Sequence, residues 1–468
     1  MGLSIRAPFT CHMPDMLADM TSYHCPVDGT RSAITALTWC CPVCRGPWDL
    51  DFTPVRGVAA NALAGRADSL WRYKEFLPLD TSAISLGEGR TPLVPLTDTV
   101  SAKLDFLMPT LSFKDRGAVM LGELARRLGP DRVVADSSGN AGTSFAAYCA
   151  RAGLPCTVYV PEGTSAKKTE QIRAHGARLV TVPGGREATA RAARAAADEP
   201  GAFYASHVFN PYFLHGTKTY AYELWEDLGG RLPEALAVPV GNGTLLLGVA
   251  LAVAELRALG LITARPRLIA VQAEAVSPLA AAFRAGADDL LPVGAGDLLR
   301  DGAGDRPRGG AGDRPRGGAG DRPRGDAGGA GGLLPDGGTV PGGDAGAGGV
   351  PGPGGGAGAG GVRGAGGNAA GGAGGVEPAT LAEGIAIPRP PRARQILAAV
   401  RESGGTFLTV PEDGIREAQR DLAARGLFVE TTGVACWAAV RAGGDAVRGE
   451  VVVPLCGSGL KTGMAASA

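Results

Sequence analysis

A chain of 468 residues has room for two or three ordinary domains, or for one large α/β unit with appendages. Its 46 lysines and arginines balance 46 aspartates and glutamates, so no excess positive field is available to attract nucleic acid or an acidic membrane. The 74 glycines are too many for a uniform globular chain, which means that one segment differs in kind.

The opening stretch MGLSIRAPFTCHMPDM lacks a basic start followed by an apolar core, so it does not read as a secretory signal. Arg6 stands where a myristoylation pattern needs Ser or Thr. No run reaches the roughly 18–20 apolar residues of a membrane helix. The best candidate, TLLLGVALAVAELRALG, meets Glu255 and Arg257 too early. Nine cysteines, an odd number unevenly placed, argue against a disulfide framework and for a reducing cytoplasm. Residues 1–55 form a Cys-rich segment holding five of the nine. Within it Cys41-Pro-Val-Cys44 is a C-x-x-C knuckle, whereas three residues after Cys25 stands Asp28. Cys25, Asp28, Cys41 and Cys44 are candidate zinc ligands, with His24 or Cys40 as replacements. A ribbon that has lost its metal and keeps free thiols is the other reading, and either way the role is structural.

Residues 56–285 alternate short β-branched runs with Ala-rich helical patterns. VVAD (133–136) precedes AGTSFAAYCARAG, TVYV (157–160) precedes SAKKTEQIRAHGA, and LVTV (179–182) precedes ATARAARAAADEP. ALAVPV (235–240) leads into TLLLGVALAVAELRALG, and LIAVQ (268–272) follows. This spacing predicts βαβ units and a largely parallel sheet, buried on both faces where the strands show no alternation. Residues 286–376 contain GAGDRPRG three times in succession (302–325) and then a Gly/Ala/Pro tract. A repeat without an apolar anchor cannot bury surface against chain entropy, so a disordered insertion is expected. Over 377–468 the pattern resumes with TFLTV (406–410), two helices and a last strand VVVPL (451–455). Cys149 and Cys156 read as core residues, and His207 as a structural histidine.

Three loops fall where strands end and helices or turns begin, the ligand-binding edge of an open α/β sheet. They are DSSGNAGTS (136–144), PVGNGTLLLG (239–248) and PLCGSGLKTG (454–463). Small residues with free N–H groups ahead of a helix suit a phosphate. GNGTLLLG lacks the spacing of a dinucleotide fingerprint and GSGLKT lacks that of a P-loop, so neither NAD binding nor ATP hydrolysis follows. Beside these loops PTLSFKDRG (109–117) sets Lys114 between Phe113 and an Asp-Arg pair, an unusual place for a surface lysine.

SLGEGRTPL (85–93), PTLSFKDRG (109–117), SSGNAGTS (137–144), HGTKTYAYEL (215–224), PVGNGT (239–244), ETTGVACWAAV (430–440) and CGSGLK (456–461) stand in the order and approximate spacing of the threonine synthases. The chain resembles that family and, more broadly, the tryptophan-synthase-like enzymes that use pyridoxal 5'-phosphate (PLP). The resemblance implies an α/β fold of two open, mostly parallel sheet subdomains with the cofactor cleft between them, plus the small Cys-rich ribbon. It implies Lys114 as the lysine that bonds PLP, and Asn140 as the neighbour of the cofactor's ring oxygen. Gly241, Asn242, Gly243 and Thr244 would cradle the phosphate. Cys456 stands where the family has a Ser or Thr facing the pyridine nitrogen, with Ser458 as a substitute. Ser137, Ser138 and Asn210 fall at substrate-binding positions, the substrate being a small amino acid. A homodimer is implied as well.

The implied reaction converts O-phosphohomoserine and water to threonine and phosphate. One departure bears on it. Where the family has an arginine in a segment like NPxRLEGxKT, this chain reads NPYFLHGTKT (210–219), with Phe213 at the arginine and His215 at the glutamate. His215, Lys167, Lys168 or Lys218 could supply the missing cation. The alternative is a serine/threonine dehydratase or a β-replacing synthase acting on an unphosphorylated amino acid.

Overall fold

The computed structural model describes residues 21–137, 139–164, 166–290 and 380–465. Ser138 and nearly all of the Gly-rich segment, its three repeats included, lie outside the described residues, as do the side chains of Lys167 and Lys168.

A small antiparallel ribbon opens the described chain: β1 (Tyr23–His24), β2 (Arg31–Ser32) and β3 (Asp49–Leu50), in the order β2-β1-β3. After it β4 (Leu93–Pro95) and β5 (Val100–Lys103) pair antiparallel. Helix α1 (Lys114–Leu128) leads into the smaller sheet. Its units are β6 (Arg132–Ala135), α2 (Asn140–Ala152), β7 (Cys156–Pro161), α3 (Ala166–Ala174), β8 (Arg178–Val182), α4 (Arg186–Ala197) and β9 (Ala202–Tyr204). The order β8-β7-β6-β9 is parallel throughout, so every strand delivers its carboxyl end to the same edge.

Helices α5 (Tyr212–Thr217) and α6 (Thr219–Asp227) cross to the larger sheet. There β10 (Ala235–Pro239), α7 (Thr244–Ala258), β11 (Arg267–Ala273) and α8 (Pro278–Arg284) precede the Gly-rich segment. Beyond it come α9 (Ala393–Glu402), β12 (Thr406–Val410), α10 (Glu412–Ala424), α11 (Thr431–Ala442) and β13 (Val451–Pro454). The order is β12-β11-β10-β13-β5-β4, parallel except for the β4 edge. Thus β13 is inserted between β10 and β5, and the last strands complete a sheet begun far earlier in the sequence. β10 and β13 are buried along their whole length, which explains their unbroken apolar runs.

Close helix packing sets where α1 begins. A Cβ on Gly117 would come within 2.4 Å of the Phe213 ring, and one on Gly216 within 2.0 Å of the Arg116 carbonyl. Only glycine lets α1 and α5 approach this closely. Among the described residues no helix is long and apolar enough to cross a membrane.

Candidate active site

Lys114 is the first residue of α1, and the turn before it is held from three sides. Leu111 takes a left-handed backbone (φ 64°), strained for a leucine. Its carbonyl accepts from the Ser458 N–H at 3.0 Å, and the Phe113 N–H donates to the Cys456 carbonyl at 2.9 Å. Asp115 closes the turn by accepting from the Thr110 N–H (2.6 Å) and hydroxyl (2.5 Å). Burial pushes that carboxyl up to about 6 against those hydrogen bonds. Arg116, fully buried, bonds Asp105 and Glu223 as a fork. The lysine therefore stands on a rigid base.

The side chain of Lys114 is half-buried, with Nζ 4.1 Å from the centroid of Phe113 and 5.8 Å from that of Phe213. It has no hydrogen bond or ion pair among the described residues. Desolvation brings its pKa down to about 8, and the charge of Arg186 acts in the same direction. At pH 7 about a tenth of the amine is then neutral, far more than for an ordinary lysine, and a nucleophilic lysine needs that neutral form. Below the folded value the amine is protonated, so apoprotein should capture PLP about tenfold more slowly per pH unit and level off above pH ~8. Stopped-flow absorbance across pH 6–9 measures this, and a pH-independent rate would contradict it.

The turn after β10 forms the second part. Gly243 (φ 73°) caps α7, and a Cβ there would meet Ile396 at 2.4 Å; one on Gly241 would meet the Ile385 backbone at 2.9 Å. The N–H groups of Gly241, Asn242, Gly243 and Thr244 donate to no other backbone carbonyl or side chain among the described residues. Free donors at the start of a fifteen-residue helix make an anion cradle. The Asn242 amide lies 3.4 Å from His207 Nε2, and the His207 ring is 5.8 Å from Phe213, so cradle and lysine share these neighbours. Burial, then the charges of Lys114 and Arg186, hold the imidazole well below its ordinary pKa, and it is neutral.

Asn140 opens α2 and meets two residues far along the chain. Its Nδ2 donates to both Glu430 oxygens at 3.0 Å, and Lys461 Nζ donates to its Oδ1 at 3.0 Å. An acceptor-only partner on one side and a donor-only partner on the other fix which way the amide faces. Cys456 is fully buried, its thiol pushed well above the ordinary value by burial and so kept neutral. Ser458 uses its hydroxyl to cap the Leu460 N–H at 3.3 Å. Beside it Ser112, paired in a bridge with Gly457, has a buried hydroxyl oxygen without a partner among the described residues.

The remaining expected residues distribute unevenly. Ser137 is half-buried in the loop before α2, its hydroxyl accepting from the Gly139 N–H at 3.4 Å. Asn210 is buried and gives its amide to Tyr23 (3.2 Å) while its carbonyl accepts from the Tyr212 N–H (3.1 Å). His215 and Lys218, expected as replacement cations, are instead bound to each other at 2.8 Å; Lys218 also pairs with Glu255 at 2.8 Å. Both are fully engaged in that buried cluster and offer no free charge. Cys25, Asp28, Cys41 and Cys44 bring their donor atoms within 4.8 Å of one another, whereas Cys149 and Cys156 are buried in the core. Glu430, Lys461 and Ser112 stand inside quoted motifs without a role assigned there, and Arg186 lies outside all of them; each is an ordinary residue until the fold gives it its neighbours.

A family model described as pyridoxal-phosphate dependent enzyme matches residues 84–311 and 359–457. A threonine synthase of Methanocaldococcus jannaschii is 33% identical over 246 residues, covering 50% of this chain and 60% of that protein. A threonine synthase of Methanosarcina acetivorans is 25% identical over 433 residues, 90% of this chain and 86% of that protein. Among solved structures, maize serine racemase (TM-score 0.53, 16% identity, covering 79% of this chain and 88% of that one) shares the fold. So does a fungal L-serine ammonia-lyase from Rhizomucor miehei (TM-score 0.53, 16% identity, 79% and 93%). With both segments of the α/β unit matched by one family model, the chain belongs to the pyridoxal-phosphate dependent enzymes.

Proposed function

We propose that this enzyme converts O-phosphohomoserine and water to threonine and phosphate, working as a cytoplasmic homodimer. The observation that carries the reading is the alignment with a threonine synthase along 90% of the chain. The residues fit the cofactor: a lysine with its pKa brought down to about 8, four N–H groups at a helix start and a buried Ser112 hydroxyl, none of these last five partnered among the described residues. PLP, when bound, supplies an electron sink for charge developing on the substrate's carbon chain.

In this reading Lys114 would hold the cofactor, and its Nζ would take the substrate's α-proton and carry protons to and from the neighbouring carbon. Gly241, Asn242, Gly243 and Thr244 would hold the cofactor phosphate through N–H groups. Glu430 and Lys461 fix the Asn140 amide, which would face the ring oxygen, and the neutral Cys456 thiol would face the ring nitrogen. Ser137 and Ser138 receive the substrate carboxylate, while Asn210 acts at one remove by tying its segment to the ribbon.

The substrate's own phosphate needs a cation, and Phe213 cannot provide it. Arg186 is exposed at the start of α4, on the carboxyl edge that also carries Asp136 and His207. Its charge acts on Lys114, Asp136 and His207. We assign it the substrate phosphate. Arg186→Gln should raise KM for O-phosphohomoserine about 10- to 100-fold, the loss of one charge-assisted contact. An unchanged KM in steady-state assays would remove Arg186 from the site.

A second reading is favoured by the buried Phe213 ring beside Lys114: a dehydratase or β-replacing synthase on an unphosphorylated amino acid. Offering O-phosphohomoserine, serine and threonine in parallel separates the two. Threonine and phosphate from the first is the expected result. A 2-oxo acid from serine or threonine, with the phosphorylated substrate inert, would overturn the first reading in favour of the second.

A further inference from the structure

The two knuckles of the ribbon repeat each other. Cys25-Pro-Val-Asp28-Gly29 and Cys41-Pro-Val-Cys44-Arg45 share sequence and, residue for residue, backbone bonding. Gly29 donates to the Cys25 carbonyl at 3.0 Å as Arg45 does to Cys41 at 2.9 Å. The Cys25 N–H donates to Thr30 at 2.8 Å as that of Cys41 does to Gly46 at 3.0 Å. Gly29 (φ 75°) and Arg45 (φ 58°) both take the left-handed backbone, an unusual conformation for an arginine. In this repeat Asp28 occupies the place of Cys44.

Each donor atom also accepts an N–H from two residues on. Val27 donates to Cys25 Sγ (3.4 Å), Thr30 to Asp28 Oδ1 (2.9 Å), Val43 to Cys41 Sγ (3.4 Å) and Gly46 to Cys44 Sγ (3.3 Å). Such bonds stabilise thiolate and carboxylate, the ligand forms. Cys25 Sγ lies 3.4 Å from Cys44 Sγ, and Cys41 Sγ lies 3.3 Å from Asp28 Oδ2. Four donors around a tetrahedral zinc with ~2.3 Å sulfur bonds would stand about 3.8 Å apart, close to this spread. All four lie within 4.8 Å of one another.

We propose that Cys25, Asp28, Cys41 and Cys44 form a structural zinc site with three thiolates and one carboxylate. It braces the segment that carries His207. Around the ribbon, Trp48 donates its N–H to the Phe209 carbonyl at 3.1 Å, and Asp49 pairs with the buried Arg392 at 2.6 Å. Arg392 Nε in turn donates to the Val208 carbonyl at 3.0 Å. The metal therefore fixes a strut on which residues 207–210 rest. This inference is independent of the reaction, and failure of the substrate comparison would leave it standing.

The test uses the full-length holoprotein, its metal content by mass spectrometry, and chelator competition for zinc affinity. One zinc per chain is expected. Asp28→Ala should weaken zinc at least about 100-fold, since even outer-shell losses cost 10–100-fold. Asp28→Cys should tighten it and, in the cobalt-substituted protein, raise the sulfur-to-cobalt absorbance by about one third, as three thiolates become four. Stripping the metal should speed amide exchange at residues 206–210 while the α/β core stays protected. Folded wild type without zinc, or equal affinity in wild type and both Asp28 variants, would overturn the proposal.

Discussion

Lys114→Ala is expected to leave a folded protein without the visible absorption band of lysine-bound cofactor and with turnover down by about 10⁴-fold or more. Two functions vanish together: the covalent attachment, and the proton transfers, which alone are worth up to about 10⁴-fold. The fold should survive because the amine has no hydrogen bond or ion pair among the described residues and lies over the Phe113 ring. Removing it also removes the cost of keeping an amine poorly solvated. A thermal midpoint equal to or slightly above wild type, with phosphate-cradle binding of free PLP retained at reduced affinity, separates chemistry from folding. Retention of the band in this variant would mean that another lysine carries the cofactor and would dismantle the site as drawn.

The sheets were legible because their strands carry short β-branched, apolar runs, unbroken in β10 and β13, which are buried throughout, and still recognisable in β7, β8 and β12, which are only partly buried. TFLTV coincides with β12, and TVYV and LVTV fall inside β7 and β8. The short edge pair β4–β5 and the three-residue β9 gave no such run and had no signal of their own. Glycine loops and the lysine motif were legible as local chemistry. Contacts across long separations were not. Glu430 and Lys461 reach Asn140 from 290 and 321 residues away; both stand in quoted motifs, ETTGVACWAAV and CGSGLK, but nothing in either run says which residue it meets. The same blindness explains the misassigned cations. His215 and Lys218 are near the expected arginine in sequence, but helical geometry turns Lys218 to Glu255, on α7, and His215 to Lys218.

Arg116→Ala is expected to be the most destabilising single change in the base of the site. The guanidinium is fully buried; it bonds Asp105 Oδ1 and Oδ2 at 2.8 and 2.9 Å, Glu223 at 2.5 and 2.9 Å, and the hydroxyls of Thr219 and Thr91. Lys103, also fully buried, is 3.1 Å from Glu223. Removing Arg116 leaves Asp105 without its cation in the core, a loss of about 3–5 kcal/mol. Arg116→Lys should recover only part, because a single ammonium cannot make the two-pronged contact. The double change Arg116→Ala with Glu223→Ala should cost less than the sum of the singles, since the two share one network. Chemical-denaturation midpoints measure all of these. Acid supplies an independent check. Burial would raise the Glu223 carboxyl, yet Arg116 and Lys103 outweigh it and hold it at about 2 against an ordinary 4.5. A depressed carboxylate stabilises the fold above the unfolded value, so this contribution should be intact at pH ~5 and fall away between about 4.5 and 2. In Arg116→Ala that stretch of the acid profile should flatten. An Arg116→Ala midpoint within error of wild type, or an unchanged acid slope, would show that the cluster does not hold the turn on which Lys114 stands.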